Sequence, residues 1–327
     1  MTHLKIWLIL IFTWIIIAST YLAIKISIDT IPPMLMSGIR YTLSAGLLFL
    51  IFKLYSINFF KIKRKPIKDT ELKSQTHKNS LLKIITKDHW KSATIAGISM
   101  IVGGQGLLAY GEQYLSSDIT ALLFSTVPIW ITLIGKFHYN IGLNAYTILG
   151  IILGLIGLGI LIFPSLQSMF FGNQNSDSNS NFLGISILLI AAILWAIGSL
   201  YSNNANLPDN ILISTGMFLL TGGIILLFIS IIIGEFNNLN LSEFSTESIF
   251  SLLYLIMVGS MGWLGFFWIL RNSTPTIANT FAYVSPVIAV FLGWLILNES
   301  IDLRVLVATV VIIIGVIFLV QKRKLNK

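Results

Sequence analysis

Long apolar runs alternate with short polar stretches along the whole chain. A helix of about 20 residues, at roughly 1.5 Å rise per residue, crosses the hydrocarbon core of a bilayer. The pattern predicts an all-α, polytopic membrane protein with ten transmembrane helices. The ten predicted spans are Ile6–Ile24, Met34–Leu54, Ser92–Gly111, Ile119–Gly135, Tyr146–Phe163, Leu183–Asn203, Ile211–Ile233, Ile249–Leu270, Ile277–Leu297 and Val305–Val320.

The composition supports a membrane protein and excludes some kinds of functional site. Hydrophobic residues make up 55% of the chain and charged residues 10%, with a mean hydropathy of +0.86, whereas soluble domains carry about 25% charged residues. The absence of cysteine excludes disulfides and thiolate chemistry. The four histidines show no metal-ligand spacing. The sequence therefore predicts no cofactor and no metal site.

Two polar stretches divide the chain. Residues 55–91 form a loop rich in lysine that is too polar to bury, and residues 168–181, reading SMFFGNQNSDSNSN, have the composition of a flexible linker. The division predicts a first five-helix unit over residues 1–167 and a second over residues 182–327, with the linker at 168–181 between them.

The distribution of charge predicts the orientation in the membrane. Ten spans place both termini on the same side. Lysine and arginine concentrate in the segments on that side, namely Lys5, the basic loop, Lys136, Arg271 and the tail, while Lys25 and Arg304 fall on the other side. Because cytoplasmic segments carry an excess of Lys and Arg, we expect both termini to be cytoplasmic in a plasma (inner) membrane. This orientation accounts for the net charge of +8 without a nucleic-acid partner.

The two units show signs of an internal repeat. At an offset of 180 residues, Ala18–Tyr21 falls on Gly198–Tyr201; at an offset of 158, Gly104 falls on Gly262, Pro128 on Pro286 and Gly157 on Gly315. A repeat with an odd number of spans inserts its second copy upside down. The pattern therefore predicts two inverted five-helix repeats, an arrangement found in secondary transporters.

The chain also resembles a known family. The residues that carry the resemblance are ASTYLAIK (18–25), IPPMLMSGIR ending at Arg40, GEQYLSSDITALL (111–123), ILWAIGSLYS (193–202) and VSPVIAVFLGWLILNESI (284–301). In these segments it is similar to the ten-helix EamA-type permeases of the drug/metabolite transporter superfamily, and the resemblance covers nearly the whole chain. One departure is Ile17-Ala18 in the first span, where the family usually has Trp-Gly.

Arg40 is an arginine inside a predicted span. Such a group costs about 2.5 to 3.5 kcal/mol on insertion scales and normally faces inward with a partner. It is either a contact to a substrate carboxylate or phosphate, or half of a structural pair with Glu112. We favour the pair, because one interaction then satisfies two costly groups. Glu112 is also a candidate for proton coupling.

Aromatic, amide and basic side chains within the spans are candidates to line a substrate path, because polar groups that converge from several spans can bind a small molecule. These candidates are Tyr21, Arg40, Gln105, Tyr110, Trp195, Tyr201, Trp263, Asn279 and Tyr283. Pro128 and Pro286 each leave a backbone carbonyl without its helical partner, so we expect helix breaks there that face protein or a cavity.

The spacing of small residues at Gly150, Gly154 and Gly157 predicts a seam of close helix packing, within one chain or between two copies. We favour packing within the chain and leave a homodimer open. Gly104–Ala109 fits the dinucleotide pattern G-x-G-x-x-A but lies inside a hydrophobic span with no preceding strand, which argues against a nucleotide site.

The favoured function is a permease that exports small metabolites by alternating access between the two halves. The substrate class, amino acids and related compounds, is what the family resemblance implies. Two alternatives remain at this point: a membrane enzyme acting on lipids or lipid-linked sugars, and a non-transporting assembly partner. The partners expected are a small-molecule substrate and the lipid bilayer.

Overall fold

A computed structural model describes residues 3–62, 85–139, 145–171, 176–237, 239–273, 278–282, 284–285, 288, 294–296 and 302–320. Helices and their connections account for these residues, with no strand among them. The helices are α1 (His3–Ser27), α2 (Pro33–Ile62), α3 (Lys87–Ala96), α4 (Leu107–Gly111), α5 (Ser117–Phe124), α6 (Val127–Tyr139), α7 (Ala145–Phe171), α8 (Ser176–Asn204), α9 (Ile211–Ile232), α10 (Thr246–Asn272) and α11 (Leu303–Val320). A short 3₁₀ turn, Leu241–Glu243, precedes α10.

Seven helical stretches in the described part of the chain are long and apolar enough to cross a membrane. They are Trp7–Ser27, Pro33–Tyr55, Lys87–Gly111, Ile119–His138, Asn179–Asn204, Ile211–Ile232 and Thr246–Asn272. Shorter apolar stretches, Ile148–Gly157 and Leu303–Gly315, lie inside α7 and α11. The chain is therefore an all-helical, multi-pass membrane protein, as its hydrophobic pattern predicts. Most of the predicted span Ile277–Leu297 falls outside the described residues.

Apolar side chains cover the outside of the bundle as well as its core. Phe228 is 62% exposed and Ile232 is 81% exposed, both on α9. A water-soluble helix would carry polar residues on such a face, whereas a face against lipid tails needs none.

The helices extend into both predicted connections. α2 continues to Ile62 and α3 begins at Lys87, so residues 63–84 of the basic loop lie outside the described residues. α7 continues to Phe171 and α8 begins at Ser176, inside the stretch expected to be a linker.

The third span begins at a capping box, in which Thr86 accepts from the backbone of His89 and His89 accepts from the backbone of Thr86. The helix type then changes along the span. α3 is followed by a wider π-helical segment, Gly97–Gly106, and that segment is followed by α4. We refer to α3, this segment and α4 together as the third span. π-Helical turns are rare and often occur at functional sites.

The fourth span is interrupted near its middle. α5 ends at Phe124 and α6 begins at Val127, so the interruption at Ser125–Thr126 lies just before Pro128. The Ser125 hydroxyl donates to the Leu122 carbonyl at 2.6 Å, and the Thr126 hydroxyl donates to the Leu123 carbonyl at 2.7 Å. The same two carbonyls also accept from the backbone N–H groups of Ser125 and Thr126 at 3.2 Å, so the backbone at the interruption is hydrogen-bonded within the protein, as a break in a membrane span requires.

The most extensive helix packing joins four pairs: α1 with α10, α2 with α9, the third span with α8, and α7 with α11. Each pair is antiparallel, because contacting residue numbers rise along one helix as they fall along the other. The contacts that show this are Thr13 with Gly265 and Ile26 with Ser248; Gly38 with Leu227 and Phe49 with Gly216; Ser99 with Leu194 and Tyr114 with Gly184; and Gly150 with Gly315 and Gly157 with Ala308.

The glycine seam packs within the chain. A Cβ on Gly315 would lie 2.8 Å from the Gly150 carbonyl oxygen and 2.8 Å from the Gly154 nitrogen. A Cβ on Gly157 would lie 3.1 Å from the Ala308 oxygen. The absence of these side chains lets the two backbones touch, as small residues do in membrane helix pairs. A homodimer would need another surface.

Candidate functional site

A narrow cavity lies at the centre of the bundle, between the α1–α10 pair on one side and the third span and α8 on the other. Its lining residues are Ile17, Thr20, Tyr21, Ile24, Arg40, Gln105, Leu108, Trp195, Gly259, Gly262, Trp263, Phe266 and Phe281. The cavity leaves about 30 Å³ for the centres of water-sized molecules, which is room for about two waters. A small metabolite would need the walls to move apart.

Trp195 on α8 is the centre of the aromatic wall. Its ring centroid lies 5.4 Å from those of Phe124 and Trp263, 5.6 Å from that of Phe266 and 5.9 Å from that of Phe281. The rings meet edge-on or tilted, which is the arrangement that aromatic quadrupoles favour. Helices from both halves of the chain therefore meet at one tryptophan.

A short chain of hydrogen bonds connects the same tryptophan to the segment after α10. The Trp195 indole Nε1 donates to Asn279 Oδ1 at 3.0 Å, and Asn279 Nδ2 donates to the Ser199 hydroxyl at 2.9 Å. Asn279 is fully buried, so these bonds replace the water that its amide would lose. The indole of Trp14 on α1 donates to the neighbouring Thr280 hydroxyl at 3.1 Å.

Arg40 lies in the second turn of α2 and is 2% exposed. Its guanidinium carbon lies 4.8 Å from the ring centroid of Tyr41, a cation–π contact. The Tyr41 hydroxyl donates to Gln105 Oε1 at 3.1 Å, and the Tyr41 ring meets the Trp263 ring edge-on at 6.0 Å. α2 thus brings a cation, an aromatic ring and a hydroxyl to one side of the cavity.

Tyr21 and Glu112 also lie near Arg40. Tyr21 lines the cavity and its ring meets Phe124 edge-on at 6.5 Å. Glu112 is fully buried just beyond α4 and interacts electrostatically with both Arg40 and Tyr21. A direct Arg40–Glu112 pair stays a prediction.

Lys25 anchors α1 to the end of the third span. Its Nζ donates to the backbone carbonyls of Glu112 at 2.7 Å and Leu115 at 2.8 Å. A cation at the carbonyl end of a helix is favourable, because the helix dipole is negative there.

The structure brings five of the predicted path residues to the cavity wall and a sixth behind it. Tyr21, Arg40, Gln105, Trp195 and Trp263 line the cavity, and Asn279 is bonded to Trp195. Tyr110 and Tyr201 are described but lie away from this wall; Tyr110 packs against Tyr114 at 6.1 Å. Tyr283 and Pro286 lie outside the described residues.

Sequence reasoning missed several aromatic residues that line the cavity or pack behind its wall. Tyr41 follows Arg40 directly, and Phe266 lies three residues after Trp263 on one face of α10. Phe124 and Phe281 give no comparable signal, since phenylalanine is common in every span. Within the described part of the chain, no group of three or more His, Asp or Glu side chains is placed to hold a metal ion.

Comparison with known proteins places the chain among transporters. The EamA-like transporter family matches residues 4–163 and 182–321. An uncharacterized transporter of Bacillus subtilis, YoaV, is 30% identical over 91% of this chain and 90% of its own length. An uncharacterized inner membrane transporter of Escherichia coli K12, YedA, is 29% identical over 86% of this chain and 79% of its own length.

The fold also matches a known crystal structure. That protein is 13% identical to this chain and superposes with a TM-score of 0.62. The alignment covers 98% of each of the two chains. At this identity the likeness concerns the fold alone. The two matched segments and the full-length relatives together show that the chain belongs to the EamA-like transporter family.

Proposed function

We propose that the chain is a ten-helix secondary transporter that exports small metabolites by alternating access, with amino acids and related compounds as the favoured class. The observation that carries the proposal is the central cavity, because both halves of the chain supply its aromatic and polar wall. Such a wall is typical of a small-molecule site. No catalytic group is part of the proposal.

Packing between counterpart helices supports an inverted repeat. A Cβ on Gly38 of α2 would touch Leu227 of α9, and a Cβ on Gly223 of α9 would touch Thr42 of α2. α2 and α9 are the second spans of the two proposed units and pack antiparallel, as counterparts in an inverted repeat do.

The α7–α11 pair obeys the same relation at the offset of 158 residues. Gly157 meets Ala308 and Ile312, and its counterpart Gly315 meets Gly150 and Gly154. Ala308 and Ile312 are the counterparts of Gly150 and Gly154 at that offset.

The packing of the other pairs supports ten spans in two units. The α1–α10 pair corresponds under the repeat to the α8–third span pair, and both are antiparallel and joined through glycines. In a ten-span numbering every one of the four pairs joins an odd with an even span, as antiparallel neighbours require. The family matches at 4–163 and 182–321 fit units at 1–167 and 182–327.

We place both termini in the cytoplasm, with the protein in the plasma (inner) membrane. Lys136 lies in the last turn of α6 and Arg271 in the last turn of α10, at the ends that this orientation assigns to the cytoplasm. The positive-inside rule supports the assignment, as does the inner-membrane relative.

Transport requires the cavity to open in turn to each side. The tightly packed pairs α1–α10 and third span–α8 act as two rigid walls, because the glycine contacts hold each pair together more closely than the cavity holds the pairs to one another. The break at Ser125–Thr126, beside Pro128, gives the fourth span a point at which to bend. A corresponding break at Pro286 belongs to the proposal.

Counterflow in proteoliposomes tests this function. Vesicles with purified protein are preloaded with a mixed pool of unlabelled amino acids, and each labelled amino acid is supplied outside in turn. We expect transient accumulation of at least one tracer. Gln105→Ala, in the cavity wall, should reduce it, whereas Gln113→Ala, at an exposed position beyond the same span, should not.

The outcome tests the proposed substrate path and the proposed transport function separately. If tracer accumulation is unchanged in Gln105→Ala, Trp263→Ala and Asn279→Ala, the protein is a transporter but this cavity is not its substrate path. No accumulation of any tracer, by protein that elutes as a folded species, would contradict amino acids as the substrate class.

A further inference from the structure

Arg40 presents a hydrogen-bonding edge that its surroundings leave open. The side chain is 2% exposed, and its Nε has no hydrogen-bond partner among the described residues. A buried donor without an acceptor costs about 1 to 3 kcal/mol. The cation–π contact with Tyr41 covers the face of the guanidinium but accepts no hydrogen bond from its edge.

Gly259 of α10 lies directly against this edge. A Cβ at position 259 would lie 3.3 Å from Arg40 Nη2 and 3.9 Å from Nε, and both residues line the cavity. The Nε–H and Nη2–H groups form one side of the guanidinium fork, which matches the two oxygens of a carboxylate. A Cβ at position 259 would therefore press on Nη2 and disturb this edge.

The charge of the wall favours a carboxylate over a phosphate. Arg40 is the one cation among the described lining residues, and no carboxylate lies among them. Glu112 acts electrostatically on Arg40 from outside the lining. The cavity therefore offers no more than one positive charge, enough for a monoanion and too little for a phosphate dianion. The remaining wall is mostly aromatic ring, suited to an apolar body.

We propose that the Nε/Nη2 edge of Arg40, which lines the cavity beside Gly259, binds the carboxylate of the transported substrate, so that substrates are small monocarboxylates with an apolar body. The assignment rests on the proposed transport function. It makes Arg40 a substrate-binding residue and Tyr41, bonded to Gln105, a residue that positions it.

Binding can be measured without knowing the transported compound, because Trp195 and Trp263 line the cavity and report through their fluorescence. The probes are 4-methylpentanoate, phenylacetate and L-leucine, each paired with its amide. In the wild-type protein we expect at least one carboxylate to bind about 10- to 100-fold more tightly than its amide, the range for a charge-assisted bond.

Three variants test the geometry. Arg40→Gln removes the charge and should abolish the carboxylate preference; Arg40→Lys keeps the charge without the fork and should retain part of it. Gly259→Ala keeps the arginine and its charge but places a Cβ 3.3 Å from Nη2, and should weaken carboxylate binding but not amide binding. Gly46→Ala on α2 is the matched control, since no described atom lies within 4 Å of the added Cβ.

A panel in which no carboxylate binds more tightly than its amide overturns the assignment. So does a preference that Gly259→Ala leaves unchanged. If counterflow is intact and the preference is absent, this assignment alone fails. If the preference is present and counterflow of every amino acid is absent, amino acids fail as the substrate class and the anion site stands.

A separate observation concerns the two ends of the cavity. Lys25 on α1 bonds to the carbonyls of Glu112 and Leu115, at the end of the third span. Arg271, in the last turn of α10, donates to the carbonyls of Asp209 and Pro208 at 2.6 Å each, in the connection after α8. Lys25 therefore joins α1 to the end of the third span, and Arg271 joins α10 to the connection between α8 and α9.

The two contacts lie at opposite ends of the bundle. α1 and α10 are antiparallel, and Ile26, next to Lys25, meets Ser248 near the start of α10. Arg271 lies 23 residues further along α10, roughly 35 Å away. We infer that these two contacts hold the outer and inner ends of the bundle closed, so that Lys25 and Arg271 act as the latches of an outer and an inner gate.

A cysteine reporter tests the latches, since the chain has no cysteine of its own. Thr20→Cys places a thiol in the cavity wall, and a membrane-impermeant thiol reagent is applied from either side, using whole cells and inverted vesicles. Lys25→Met should raise the modification rate about tenfold from the side of Lys25 only. Arg271→Met should do so from the other side only.

Lys91→Met, at an exposed lysine, is the control. Lys25→Arg keeps a donor and should leave the rate unchanged, which separates loss of the latch from loss of the fold. Equal acceleration from both sides, or none in either variant, overturns the gate assignment.

Discussion

Replacing Gly315 by alanine should force α11 away from α7. The new Cβ would lie 2.8 Å from two backbone atoms of α7, the Gly150 oxygen and the Gly154 nitrogen. Backbone cannot rotate aside as a side chain can, so the helices must separate by roughly half an ångström. A gap of that size forfeits about a quarter of the attraction of each contact, and overpacking of this kind costs about 1–3 kcal/mol.

The helix propensity of alanine offsets part of this cost, by about 1 kcal/mol. Gly159→Ala measures the gain in helix propensity by itself. Gly159 lies on α7, the helix that Gly315 packs against, and no described atom lies within 4 Å of its Cβ position. We therefore expect the free energy of unfolding of Gly315→Ala to lie about 1–3 kcal/mol below that of Gly159→Ala.

The measurement is SDS-induced unfolding in mixed micelles, followed by tryptophan fluorescence. Gly157→Ala, the reciprocal position, should lower the unfolding free energy in the same direction. The double variant Gly157→Ala/Gly315→Ala should cost less than the sum of the two, because the helices separate only once. Equal stability of Gly315→Ala and Gly159→Ala would refute the close contact.

Three further predictions concern local hydrogen bonds. Glu235 accepts hydrogen bonds from two backbone N–H groups in the first turn of α2. Glu235→Gln should lower the free energy of unfolding by about 1–2 kcal/mol in the same SDS titration. Glu243→Gln, at an exposed residue, should leave it unchanged. Asn210 caps α9; Asn210→Ala should cost about 1 kcal/mol and speed amide hydrogen exchange in the first turn of that helix. The Thr126 hydroxyl donates to a carbonyl at the break and accepts from Trp130; Thr126→Val should cost about 1–2 kcal/mol, while Thr126→Ser should keep most of the stability.

The hydrophobic pattern alone predicts the class of fold, because a bilayer admits few structures and a long apolar run has few alternatives to a helix. The positions of proline and glycine along the chain also carry information about packing. Gly157 and Gly315 align at an offset of 158 residues, and both lie where α7 and α11 touch. Helix ends are less predictable: α2 and α7 continue past the ends of the apolar runs.

The sequence is a weaker guide to the candidate site. It singles out Arg40 and Trp195 because a cation or an indole in a span is unusual, and both line the cavity. It also singles out Tyr110 and Tyr201, which do not. A tyrosine in a span serves equally as an interface anchor and as a cavity residue, and its residue type does not distinguish the two.

That this chain is a multi-pass helical membrane protein of the EamA type follows from its sequence, since solvent preference and motif spacing are properties of the linear chain. Which faces meet depends on the folded bundle. Only packing could show that Gly259 lies against Arg40, that aromatic rings from both halves surround Trp195, and that Lys25 and Arg271 make interhelical contacts at opposite ends of the bundle. These relations depend on distances between residues far apart in sequence, which local pattern does not specify.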